Sequence, residues 1–244
     1  MALGRAMFGF LGLFFIAGAI LLIILTLLGG VTNTNPENII FFLEANTGNI
    51  PGAPAVSRWT FWNVCAMDAN QKSLCGPSHP DYPFDPPSHR TFNTTVNVPP
   101  EFVGSNHYFL TSRFMFPFII IGLFFAVLAL FMGLLALCTR IGGVISAIFA
   151  WISFVFQTIT TCLMTAVYVQ GRNNFNRNGQ RAHLGAKAFA FMWTALTCLF
   201  LGSIFYLVAG LVGRKREGYI GREQRRRGFF KNERSASTHE HSES

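Results

Sequence analysis

Charge is scarce in this chain. Only 12% of its 244 residues are Asp, Glu, Lys or Arg, roughly half of what a soluble domain carries. The scarcity is concentrated. Residues 6–29, 114–138, 141–169 and 188–212 contain no Asp, Glu, Lys, Arg or His. All six histidines, His79, His89, His107, His183, His239 and His241, lie outside these blocks. Ionisable groups at membrane depth mark proton relays and ion pathways. Their lack argues against a pump or proton-coupled transporter. Cysteine is also sparse, with five in all and no CxxC pair. Cys138, Cys162 and Cys198 are scattered, which argues against a membrane thiol oxidoreductase. No metal-ligand array, nucleophile–base pair or phosphate-cradling loop occurs. The expectation is no catalytic residue, no metal and no cofactor.

What remains is apolar and long. A bilayer core ~30 Å thick needs roughly 20 apolar residues in a helix. Lipid leaves an unpaired backbone group no partner, so such blocks become helices. The fold class expected is an all-α membrane protein with a four-helix transmembrane bundle. Its segments are an N-terminus and first span (1–29), a long polar loop (30–112), a second span (113–139), a third (141–169), a short connector (170–185), a fourth span (186–213) and a basic tail (214–244). The first block is longer than a signal peptide's apolar region of ~7–15 residues and lacks a clear cleavage site. It is read as a retained helix. Thr139 and Arg140 leave room for only a tight turn, so spans two and three should be antiparallel neighbours.

The formal net charge of +8 is concentrated in residues 214–234, which hold nine basic residues against three acidic ones. No soluble basic face is offered to nucleic acid. Basic residues beside spans mark the cytoplasmic side. Arg5, Arg140 and the cluster Arg214, Lys215, Arg216, Arg222, Arg225, Arg226, Arg227, Lys231 and Arg234 all fall on one side of four spans. Both termini are therefore expected in the cytoplasm. Arg172, Arg177, Arg181 and Lys187 run against this rule, on the outer connector. They are either solvated or meet an anionic partner such as headgroups or cell-wall polymer. The tail cluster is read in two ways, as a binding site for anionic inner-leaflet lipid or as a topology anchor. Phe229 and Phe230 lie within it.

Cys65 and Cys75 lie in the outer loop, where disulfides persist. Closing that small loop is worth roughly 3 kcal/mol in the chain-entropy model. Asn93-Thr94-Thr95 is a glycosylation sequon in the same loop. Cys138, at the cytoplasmic end of span two, is a candidate for palmitoylation or an unmodified thiol. Gln157, Thr158, Thr160 and Thr161 give span three a polar character, for a polar path or for helix–helix hydrogen bonds. Gly142, Ser146 and Ala150, and Ala129 and Gly133, form small-residue faces. These serve packing inside the bundle or lateral association into a homo-oligomer.

The outer loop reads Arg58-Trp59-Thr60-Phe61-Trp62-Asn63-Val64-Cys65, then Cys75-Gly76-Pro77-Ser78. Two tryptophans before a cysteine, with a second cysteine ten residues on, resemble the claudin-type signature of four-span proteins. The flanks sharpen the match. They include Asn49-Ile50-Pro51-Gly52, Tyr82-Pro83, Asn97-Val98-Pro99-Pro100 and Tyr108-Phe109-Leu110-Thr111-Ser112-Arg113. Together they resemble the fungal Sur-seven/PalI family of plasma-membrane proteins. That resemblance implies a claudin-like, β-containing extracellular loop. It also implies residence in cortical, eisosome-associated domains rich in sterol and sphingolipid. Eisosome coat proteins are the implied partners. Roles in cell-wall integrity, endocytosis or sporulation follow, or ambient-pH signalling for the PalI branch. A channel or auxiliary transport subunit is the alternative of another class.

Overall fold

The computed structural model describes residues 2–32, 34, 37–68 and 72–212. Four helices form the bundle: α1 (Ala2–Leu28), α2 (His107–Cys138), α3 (Arg140–Arg177) and α4 (Ala186–Val212). Each contains a stretch long and apolar enough to cross a membrane. The helices run past the apolar blocks. α2 starts at His107, and α3 continues to Arg177 through residues expected in the connector. Asn178 caps α3 by donating its N–H to the Asn174 carbonyl at 3.1 Å, and Gly179 follows at φ +79°. Such a left-handed glycine is a common helix terminator.

Thr139 explains the tight turn. Its N–H donates to Leu135 O at 2.8 Å and closes α2. Its Oγ1 accepts from the Gly142 N–H at 3.3 Å and opens α3. One residue thus satisfies orphan groups of two helix ends.

Five short strands form an antiparallel sheet over one end of the bundle. They are β1 (Leu43–Asn46), β2 (Val56–Trp59), β3 (Val64–Met67), β4 (Ser73–Leu74) and β5 (Ala182–Leu184), in the order β4-β3-β2-β1-β5. The fifth strand comes from the α3–α4 connector. It pairs Leu184 with Leu43 and His183 with Glu44. Both connectors at this end are therefore one sheet. Strand alternation puts Leu43, Trp59 and Val64 on one face and Glu44, Arg58 and Cys65 on the other. The first face is the bundle side, since the Trp59 ring lies 5.5 Å from that of Phe175 on α3.

The opposite half of the bundle is packed through glycine. Tyr206 of α4 is fully buried between α1 and α2. A Cβ on Gly12 would lie 2.7 Å from its ring, and one on Gly133 would lie 2.0 Å from its hydroxyl. A Cβ on Gly143 would lie 3.2 Å from the Gly210 nitrogen. Gly142, Ser146, Ala150 and Ala129 are buried too. The small-residue faces are thus used inside the bundle, where they allow close backbone approach.

Candidate functional site

The signature residues form a clasp between the sheet and three helices. Trp59, at the end of β2, is 1% exposed. Its ring stands edge-on to Phe84 at 5.4 Å and Phe92 at 6.1 Å. Such aromatic pairs gain about 1 kcal/mol beyond their buried area. The layer continues through Phe102, Tyr108 and Tyr168, so the sheet sits on an aromatic floor. The Trp59 Nε1–H has no acceptor among the described residues.

Trp62 has a different task. Its Nε1–H donates to the Leu27 carbonyl at 2.5 Å. That carbonyl belongs to the last turn of α1 and lacks a helical partner. The same ring packs edge-on against Phe116 of α2 at 5.5 Å. Trp59 thus docks the sheet on α3, while Trp62 pins it to α1 and α2.

Cys65 and Cys75 are joined in a disulfide, with their Cα atoms 4.2 Å apart. The bond ties β3 to the residue after β4. Gly76 and Pro77 then begin a return run. The Asn63 side-chain amide donates to Pro77 O at 3.0 Å, and His79 N–H donates to Trp62 O at 2.9 Å. The disulfide therefore fixes a chain that lies back against the tryptophan turn.

Arg58 was legible only as a neighbour of Trp59, and its role comes from the fold. It is 7% exposed on the face away from the bundle. Its Nε donates to Glu44 Oε2 at 2.6 Å, and another nitrogen donates to Ser73 Oγ at 3.0 Å. The guanidinium also lies 4.6 Å from the Phe41 ring centroid. A buried charge needs such pairing to be tolerated. No sequence signal names Glu44 as the partner, because strand register makes the pair. The other oxygen of Glu44 lies 3.4 Å from His183 Nε2. A row His183–Glu44–Arg58–Cys65 thus crosses four strands.

A second tie is made of amides. The Gln180 amide donates to Asn49 Oδ1 at 2.8 Å and to Asn97 O at 3.0 Å. Asn178 donates to Asn97 O at 3.1 Å. The connector is thereby bound to two distant points of the long loop. Asn93 sits exposed in a turn at φ +53°, and Thr95 is exposed beside it. In the same region burial pushes the Asp85 carboxyl above its ordinary range, and His89 partly offsets this. Burial likewise raises the Tyr82 phenol, against the opposing hydrogen bond from Thr91 and the charge of Arg90.

The threonines of span three do not reach across helices. Thr158, Thr160 and Thr161 donate to Phe154 O, Phe156 O and Gln157 O of their own helix. Ser153 does cross, donating to Gly122 O of α2 at 2.7 Å. Gln157 is buried, with its amide 3.4 Å from Met192 Sδ and its Oε1 without a partner among the described residues. The tail residues Arg214, Lys215, Arg216, Arg222, Arg225, Arg226, Arg227 and Lys231 lie outside the described residues, as does the side chain of Cys138.

Comparison with known proteins agrees with this arrangement. The family model described as the SUR7/PalI family matches residues 8–205. Protein SUR7 of Candida albicans is 36% identical over 228 residues, covering 93% of this chain and 82% of that protein. Protein SUR7 of Saccharomyces cerevisiae is 34% identical over 187 residues, covering 75% of this chain and 61% of that protein. A further S. cerevisiae protein, named as a plasma membrane protein, is 28% identical over 86% of this chain and 70% of its own length. With a family match over most of its length and this clasp over four apolar helices, the chain belongs to the SUR7/PalI family.

Proposed function

We propose that this chain is a non-enzymatic organiser of the fungal plasma membrane, resident in cortical, eisosome-associated domains. The observation that carries the reading is the clasped sheet on a four-helix bundle whose apolar blocks hold no ionisable residue. Such a bundle offers lipid an apolar surface and offers the outside a rigid cap. The name of a related plasma membrane protein supports the location. The sheet end faces outward and the basic tail faces the cytoplasm, because the tail holds the densest run of Lys and Arg. Sterol- and sphingolipid-rich lipid surrounds the spans, and the cytosolic coat meets the tail.

Imaging of a tagged copy tests this. Stable cortical patches are expected, and a uniform plasma-membrane or internal distribution refutes the reading. Orientation has its own test. A glycosidase-sensitive mobility shift lost in Asn93→Gln supports the outer placement of the sheet. Glycosylation of a sequon engineered into 235–244 would reverse it. The family description also names the PalI branch. Loss of the alkaline-pH response in a deletion strain with normal patches selects that signalling role instead.

A further inference from the structure

The α3–α4 connector carries cations that no acidic side chain answers. No Asp or Glu occurs anywhere between Glu101 and Glu217. Arg177, Arg181 and Lys187 are exposed, and none makes an ion pair among the described residues. The other basic side chains around the sheet include Arg58 and Arg113, which are paired with Glu44 and Asp81 at 2.6 and 2.7 Å. Lys72 and Arg90 of the long loop are also exposed without an ion pair among the described residues, but they stand apart in sequence, whereas the connector gathers three such cations within eleven residues.

That connector is rigid. Arg177 ends a capped helix, Arg181 precedes β5, and Lys187 stands in the first turn of α4. The amide ties of Gln180 and Asn178 hold the stretch between them. Its outer strand edge is partly closed. Asn176 Oδ1 accepts from the Ala182 N–H at 2.9 Å, and its Nδ2 donates to Ala182 O at 3.1 Å. Closed edges resist strand addition, so the connector offers a partner side chains rather than backbone.

We propose that this connector is a binding surface for an anionic polysaccharide outside the membrane. Basic residues on that side oppose the positive-inside signal, so their place there weakens the topology signal without any internal ion pair to offset it. A polymer fits better than the protein's own bilayer. Tyr168 of α3 already packs beneath the sheet, 5.0 Å from the Phe42 ring. Arg177 stands nine residues further along the same helix, about 13 Å beyond at ~1.5 Å per residue. That rise carries Arg177 away from the apolar part of its helix, toward a chain lying outside the bilayer.

The proposal rests on the orientation given above. Its test does not, because a nanodisc leaves both faces open. The full chain is placed in phosphatidylcholine nanodiscs, with its nine tail cations at 214–234 changed to Gln to remove their binding. Heparin is the polyanion probe and dextran the neutral one. Heparin should bind and dextran should not. Arg177→Ala, Arg181→Ala and Lys187→Ala together should weaken heparin binding about tenfold at low salt, as for three exposed ion contacts. They should also lower the slope of log affinity against log salt by about two. Arg177→Lys with Arg181→Lys, with Lys187 kept, should retain most of the binding, which controls for folding. Unchanged affinity in the triple Ala variant, or no heparin binding at all, overturns the proposal. Equal or stronger dependence of phosphatidylserine-vesicle binding on the same residues assigns the surface to a bilayer and also overturns it.

Discussion

Tyr206 provides a quantitative test of how the bundle is held. Its ring is wedged between Gly12 and Gly133, and its buried hydroxyl has no acceptor among the described residues. Two opposite perturbations follow. Gly133→Ala places a Cβ 2.0 Å from the hydroxyl oxygen and 2.7 Å from Cζ. The ring has little room to retreat, because it also packs so close to Gly12 that a Cβ there would lie 2.7 Å from it. Overpacking of this kind costs about 1–3 kcal/mol. Alanine also favours helix over glycine by about 1 kcal/mol. The net expectation is destabilisation of about 0–2 kcal/mol. Tyr206→Phe removes an unpaired buried hydroxyl, whose cost in water-soluble proteins is about 1–3 kcal/mol. Polar contacts within membranes average nearer ~0.6 kcal/mol, because the unfolded chain in lipid also finds partners. A gain of about 0.5–1 kcal/mol is therefore expected.

The two changes should be coupled. In the Phe background the first atom met by the methyl that Gly133→Ala adds is Cζ at 2.7 Å, no longer oxygen at 2.0 Å. Gly133→Ala should then cost about 1 kcal/mol less than in the parent, within the range seen for contacting residues. Reversible unfolding of the four proteins in detergent micelles, titrated with dodecyl sulfate, reads all three values. Destabilisation of about 1 kcal/mol or more by Tyr206→Phe would mean that the hydroxyl has a partner. Equal costs of Gly133→Ala in both backgrounds would mean that the hydroxyl is not what the methyl meets. Either result refutes the packing argument.

Cys65→Ala should lower thermal stability of the sheet end by roughly 3 kcal/mol and reduce surface delivery; wild-type delivery with free thiols at Cys75 would contradict this. Asp85→Asn should remove a contribution to stability that is present at low pH and lost as pH rises. The raised carboxyl makes the folded form hold its proton more tightly, so stability falls as pH rises from below the unfolded value, near ~3.9, through the higher folded one. The wild-type-minus-variant difference in melting temperature should therefore shift against the wild type over that window, and a flat difference would show that burial of Asp85 has no energetic effect. A 214–244 peptide should bind anionic vesicles, weaken with salt, and weaken again with Ser235→Asp and Ser237→Asp, since added negative charge opposes docking; equal binding to neutral vesicles would leave the tail as a topology signal alone.

The four helices were plain in the sequence because lipid permits few alternatives to a helix. Thr139 and Arg140 foretold the hairpin of α2 and α3 for a related reason, since two residues permit only reversal. The pairing of Cys65 with Cys75 was readable from compartment and proximity. Other features were not. β5 is three residues, Ala182–Leu184, too short to show a period, and only β1 gives it a place. Residues 170–177 look like loop by hydropathy, yet Gln180 and Asn178 anchor their helical end. Glu44 and Arg58 lie fourteen residues apart, and only antiparallel register makes them face. Gly133 was recognised as small, but its partner Tyr206 is a whole helix pair away.

These hidden contacts share a consequence. The long loop joins α1 to α2, and the connector joins α3 to α4. Beside the aromatic floor and the amide ties, β5 gives the two helix pairs a backbone link. Pairing of β1 with β5 makes one sheet of both. Trp62 then fixes that sheet to α1 and α2, and Trp59 fixes it to α3. At the far end, Tyr206 joins α4 to α1 and α2, while Gly143 meets Gly210 across α3 and α4. The bundle is thus locked at both ends, by aromatics under a sheet at one and by glycines around a tyrosine at the other. Between the locks the outward side chains are apolar, among them Phe14, Phe124, Phe131, Ile148 and Phe200. A rigid body with that surface presents one fixed shape to its lipids. In the role proposed above, sorting by such a surface requires no moving part, and weakening a lock with Gly133→Ala should disperse the proposed patches before it unfolds the protein. Imaging of the tagged variant beside its detergent-unfolding curve checks this, and intact patches in a destabilised variant would refute it.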